Sequence, residues 1–190
     1  MASHLFFPRS ETPPEPPRRS SLSRAAIIDF EASCLPEDCA SYPIEVALAP
    51  VDQPTRTWLI RPAAEWAYWD WTEEAEQLHG ISREMLDQRG LPVEQVLTEL
   101  AEAAQGYEVY ADCDLDAYWL ETLAAACHRR APFPVRYLGE LLCARGLVRA
   151  QVQAALRRAS LQLPQAHVAR QDANRLALMV RLLRREAQVA

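Results

Sequence analysis

The sequence predicts an α/β fold in one folded unit over residues 24–190. Two observations carry this prediction. Strand-like runs at 25–28, 44–51 and 56–60 follow one another across short loops, the pattern of an antiparallel meander. Beyond them, strand patterns at 108–111 and 133–138 alternate with amphipathic helical stretches, which places helices against a sheet. At 190 residues and 49% hydrophobic content, the chain has enough apolar surface to fill one core.

Residues 1–23 contain Pro13, Pro14, Pro16 and Pro17, then Arg18 and Arg19, and read as a disordered tail. Ala25–Ile28 begins a buried strand. Residues 34–43 have loop composition. Asp52-Gln53-Pro54-Thr55 turns the second strand into the third, which Arg61-Pro62 ends. An aromatic cluster follows: Trp66, Tyr68, Trp69 and Trp71 either pack this loop onto the domain or stack bases of a single strand. Thr72 is placed to cap a short helix that carries acids in its first turn and ends at His79-Gly80. A helix is expected over 92–105, where Val93, Val96, Leu97 and Leu100 repeat at helical spacing before Gly106 stops it. The fourth strand, 108–111, leads through a turn, with Asp114 as the expected N-cap, into a helix over 115–129. The fifth strand is expected at 133–138, then helices at 139–145 and 149–159. A last helix starts after Pro164, with Ala169, Ala173, Leu176, Ala177, Val180 and Leu183 on its inward stripe.

Composition removes several classes of chemistry. All 20 basic residues are Arg, so no lysine is present for a Walker A loop, a Schiff base or a Ser-Lys dyad. A net charge of -6 argues against a broadly basic nucleic-acid surface. An acidic chain still meets nucleic acid when its negative charge is concentrated on metal ligands and Arg lines the approach. The five cysteines, an odd number without a C-x-x-C pair, read as a reduced set in a cytoplasmic protein, neither a disulfide frame nor a zinc site. No apolar run is long enough to cross a membrane, and the N-terminus lacks the pattern of a secretory signal.

The candidate chemistry lies in acids at strand ends and helix starts. Asp29 and Glu31 are separated by one residue on a strand, so both side chains share a face while Ile28 and Phe30 take the other. Two adjacent acids at the end of an apolar strand repel each other and are costly to desolvate, and a divalent cation between them relieves both problems. Asp116 falls on the apolar stripe of its helix with Trp119, Leu120 and Leu123. Asp172 sits at three- and four-residue spacing from Ala169 and Leu176, also on the inward side. His167 precedes Asp172 by five residues, a spacing that does not put both on one helix face; on the loop or first turn it can swing over the same site. Each acid alone also suits a solvated strand end, a cap or an ion pair with Arg, and His79 alone suits a structural hydrogen bond.

Taken together, these segments resemble a known family. Ile28-Asp29-Phe30-Glu31-Ala32-Ser33, Leu115-Asp116-Ala117-Tyr118-Trp119-Leu120 and His167-Val168-Ala169-Arg170-Gln171-Asp172-Ala173 resemble the three motifs of the DEDD exonucleases. The His five residues before the last Asp points to the DEDDh, DnaQ-like branch, and Pro43–Ala47 and Leu78–Ser82 are similar to its connecting segments. The resemblance spans about residues 25–187 and implies a ribonuclease H-like fold, a central mixed five-stranded sheet flanked by helices. It implies two divalent ions, Mg2+ or Mn2+, held by Asp29, Glu31, Asp116 and Asp172, with His167 as general base. It also implies a single-stranded nucleic acid 3′ end as partner, met by Phe30, Ser33 and His79. The sequence departs from the family at Tyr110-Ala111-Asp112-Cys113, where many relatives carry a His-Asn pair, and Asp112 becomes a rival to Asp116 as ligand. A nucleic-acid-binding or polymerase-associated module with the same fold and no turnover stays open as a second reading.

Overall fold

A computed structural model of the chain describes residues 22–36, 39–164 and 167–189. The tail expected over 1–23 lies outside these residues up to position 21. Leu22, by contrast, is buried in a short 3-10 turn, Leu22–Arg24, that leads into the first strand.

Five strands form one mixed sheet in the order β3-β2-β1-β4-β5: β1 (Ala25–Ala32), β2 (Pro43–Pro50), β3 (Arg56–Leu59), β4 (Glu108–Ala111) and β5 (Val135–Tyr137). The first three pair antiparallel, as the short connections require. β4 and β5 add on the other side of β1 in parallel, each reached through helical crossovers. β1 is therefore the central strand, and its first four residues are buried on both faces.

One layer holds α1 (Glu73–His79), α2 (Arg83–Arg89), α3 (Val93–Ala103) and α4 (Leu115–Ala126). Ile28, Phe30, Ile44, Val46 and Leu48 pack there against Leu97, Leu100, Trp119 and Leu123. The opposite layer holds α5 (Leu138–Ala144), α6 (Arg149–Gln162) and α7 (Ala169–Val189), packed on Ala25, Ile27, Ala47 and Ala49. α7 presents Ala169, Ala173 and Ala177, all essentially without accessible surface, to these small strand residues. Small side chains on both sides let helix and sheet approach closely. That approach brings the first turn of α7 over the end of β1.

The local signals act largely as expected. Thr72 accepts a hydrogen bond from the Ala75 N–H, and Gly80 closes α1 in the left-handed conformation at φ 72°. Asp114 holds the cap position of α4 but makes no side-chain cap bond. α2 is not anticipated by the sequence reading. Its cap, Ser82, accepts from the Met85 N–H, and its single buried apolar residue is Leu86. The fifth strand is shorter than expected, and α4 ends three residues early, at Ala126. The tryptophans of the aromatic cluster serve packing. Trp66 stacks on Tyr42 at 5.4 Å, and Trp69 and Trp71 are half-buried against the same core. Tyr68 alone of the four is fully exposed.

One expectation about cysteine is corrected. Cys34 and Cys39 form a disulfide, while Cys113, Cys127 and Cys143 are free thiols. Among the described residues, no helix is long and apolar enough to cross a membrane.

Candidate active site

The chain brings its acids to the C-terminal end of β1. Asp29 and Glu31 project from the α7 side of the sheet, as alternation demands. One carboxylate oxygen from each of Asp29, Glu31 and Asp172 lies within 4.8 Å of the other two, although Asp172 is 141 or more positions away in the chain. Asp172 forms an ion pair with Arg175 one turn on and accepts the main-chain N–H of His167 at 2.7 Å.

Asp116 reaches the same region from the opposite layer. The parallel β1–β4 ladder ends at the Ile27–Tyr110 pair, so the Phe30 N–H beyond it has no strand partner. Asp116 supplies one: its Oδ1 accepts that N–H at 2.9 Å, across 86 residues. Its Oδ2 accepts from the Cys113 thiol at 3.3 Å. Asp116 is only 3% exposed, which makes it the most buried acid of the group. It forms a second acidic group with Asp112 and Cys113, next to the first. Asp112 is solvent-exposed, so burial sets the rival apart from Asp116.

The electrostatics are those of a site built for positive charge. Burial, then the charges of Asp116 and Glu31, push the Asp29 carboxyl well above the usual range. Glu31 is raised from 4.5 to about 7 by burial, then by Glu45 and Asp116. Asp116 is raised to about 7 by burial, partly opposed by the hydrogen bonds from Cys113 and Phe30. Buried carboxylates crowded together in this way are a fitting donor set for a hard divalent cation such as Mg2+ or Mn2+. Cys113 does not extend that set, because burial and Asp116 raise its thiol to about 11 and keep it protonated.

The remaining expected site residues separate. Phe30 and His79 line a cleft of about 410 Å3 that also takes in Glu31, Leu78 and Trp119. His79 is 7% exposed. Its Nδ1 accepts the Ile81 N–H at 3.0 Å, and its Nε2 is buried, facing the Ala32 main chain. Burial lowers its pKa, so the ring is neutral and carries its proton on Nε2. Ser33, expected to meet the substrate, has no accessible surface. Its N–H donates to Tyr42, its carbonyl accepts from Thr72, and its hydroxyl accepts from the Tyr42 N–H, so it holds the loop instead. His167 lies on the exposed turn before α7, at φ 58°, a left-handed conformation that a non-glycine residue rarely takes. Glu45 has no role that the sequence alone points to. It sits on β2 directly opposite Glu31 and accepts the Ala169 N–H.

No protein-family model and no curated protein matches the sequence. Solved structures do. A full-length 3′-exonuclease superposes with a TM-score of 0.63 at 19% identity, over 85% of this chain and 82% of that one. A 3′-exonuclease in a structure of 3′-end-specific recognition of a histone mRNA stem-loop gives 0.66 at 17% identity, over 88% of this chain and 66% of that one. Exonuclease I of E. coli with a dT13 oligonucleotide gives 0.60 at 12% identity, over 87% of this chain. The chain spans 42% of that exonuclease I. At these identities the likeness is one of fold, and it bears out the ribonuclease H-like architecture that the three motifs implied.

Proposed function

We propose that the chain is a metal-dependent 3′–5′ exonuclease acting on the 3′ end of single-stranded DNA or RNA, with residues 24–190 as the exonuclease domain. The observation that carries this reading is the convergence of Asp29, Glu31 and Asp172 within 4.8 Å at the end of β1. Buried Asp116 adjoins them, on a fold shared with 3′-exonucleases.

Asp29, Glu31, Asp116 and Asp172 would hold two divalent ions, Mg2+ or Mn2+. When bound, such a pair neutralises the scissile phosphate, lowers the pKa of a water and stabilises the leaving oxygen. The protein supplies the rest. Four carboxylates on β1, α4 and α7 fix where the phosphate sits, and Asp116 ties its own position to the β1 main chain through Phe30. His167 takes the proton of the attacking water, the general-base role to which an imidazole is suited. Its main-chain N–H donates to Asp172, which ties the turn that carries the base to the ligand. Phe30 and His79 form the wall of the cleft beside Glu31, which receives the terminal nucleotide.

Incubation of a labelled oligonucleotide with the protein and Mn2+ tests the reading. Metal-dependent release of mononucleotides from the 3′ end supports it. Tight binding with no release identifies a silent binding module and refutes it.

A further inference from the structure

Glu45 stands where a charge needs a reason. It faces Glu31 across the antiparallel β1–β2 pair, at the last regular position before the register shifts between Glu31 and Ala32. Directly opposed like charges destabilise a sheet, so a mere surface role would favour almost any other residue here. The side chain is half-buried, and its Oε2 accepts the Ala169 N–H at 3.2 Å, across 124 residues of sequence. Ala169 opens α7, and the first N–H groups of a helix have no partners within it. The residue before it, Val168, has no side-chain oxygen to offer them, so a strand residue provides the cap. That same helix end carries His167, two residues before Ala169, and Asp172, three residues after it.

We infer that Glu45 is a positioning residue for the proposed nuclease reaction: it anchors the start of α7 so that Asp172 and His167 stand against the Glu31 end of β1. β2 is a rigid base for this, because it is paired on both edges, with β1 and β3. The inference rests on the function proposed above and adds to it a residue outside the four acids and the histidine. Glu45 does not touch the reacting atoms in this account. It acts through the hydrogen bond to Ala169.

Glu45→Ala and Glu45→Gln variants of the full chain test it. Glu45→Ala is expected to lower kcat by about 10- to 100-fold, the usual range for residues that orient ligands, with KM for the oligonucleotide unchanged. Gln keeps an oxygen that accepts from Ala169, so Glu45→Gln should recover most of the lost rate. Hydrogen exchange at the Ala169 amide should accelerate in Glu45→Ala and stay as in the wild type in Glu45→Gln. Mn2+ affinity, read by calorimetry, should fall far less in Glu45→Gln than in Glu31→Gln. The proposal is overturned if Glu45→Ala is as active as the wild type, if Glu45→Gln is as impaired as Glu45→Ala, or if it loses Mn2+ as Glu31→Gln does. A wild type that releases no nucleotide refutes the nuclease reading first and this inference with it, whereas an active wild type with an equally active Glu45→Ala refutes this inference alone.

Discussion

Replacing Glu31 by Gln should make the metal-free protein more stable, and only at high pH. The Glu31 carboxyl is raised from 4.5 to about 7 in the folded protein, first by burial and then by Glu45 and Asp116. Between those two values the folded chain keeps a proton that the unfolded chain has released. The stabilising contribution of the neutral carboxyl is thus complete below pH 4.5 and lost as pH rises through 7. One pH unit of displacement is worth about 1.4 kcal/mol, so ionised Glu31 costs the folded state about 3 kcal/mol at pH 8. Gln keeps the shape and never ionises. In thermal melts with a chelator present, wild type and Glu31→Gln should coincide at pH 4. At pH 8 the variant should melt about 6–12 °C higher, at about 2–4 °C per kcal/mol for a domain of this size. Added Mg2+ or Mn2+ should raise the wild type at pH 8 and the variant much less, since the cation takes the place of the missing proton. Equal melting temperatures at pH 8, or a variant gain that does not depend on pH, would refute the claim that these acids are held together at electrostatic cost.

Two further outcomes are expected. His167→Asn should cut kcat by about 10²- to 10⁴-fold, the range for losing a general base, while leaving the melting temperature unchanged. Asn tolerates the left-handed backbone found at φ 58°; a loss of folding in place of a loss of rate would remove His167 from the chemistry. Alkylation of the denatured chain should label three cysteines without reductant and five after reduction, as read by mass spectrometry. Five labels without reductant would show that Cys34 and Cys39 are unpaired.

Much of this site is written in local pattern. Asp29 and Glu31 are recognisable because strand alternation puts both on one face, and Asp116 because a carboxylate on the stripe of Trp119 and Leu120 needs a partner. That partner, the Phe30 N–H, depends on where the β1–β4 ladder stops, a fact of tertiary register that neither segment contains. Glu45 escaped for the same reason, since its meaning lies in facing Glu31 and reaching Ala169. The five-residue offset of His167 from Asp172 fits no helix face, and the structure resolves it with a left-handed turn that folds His167 back onto the Asp172 carboxylate. In the sequence alone Ser33 reads as available because it follows the acidic strand. Its burial comes from Tyr42 and Thr72, residues brought in by the loops that follow. α2 was missed because seven residues with one buried leucine leave almost no periodicity to read.

The central claim is that separated acids meet to run metal-dependent chemistry at a 3′ end. It is tested most directly by following a 5′-labelled single strand with wild type and Asp29→Ala, in Mn2+ and in chelator. The account predicts stepwise shortening from the 3′ end by the wild type in Mn2+ alone, and an intact strand in the other three reactions. Shortening by Asp29→Ala at the wild-type rate, or shortening by the wild type in chelator, would contradict it.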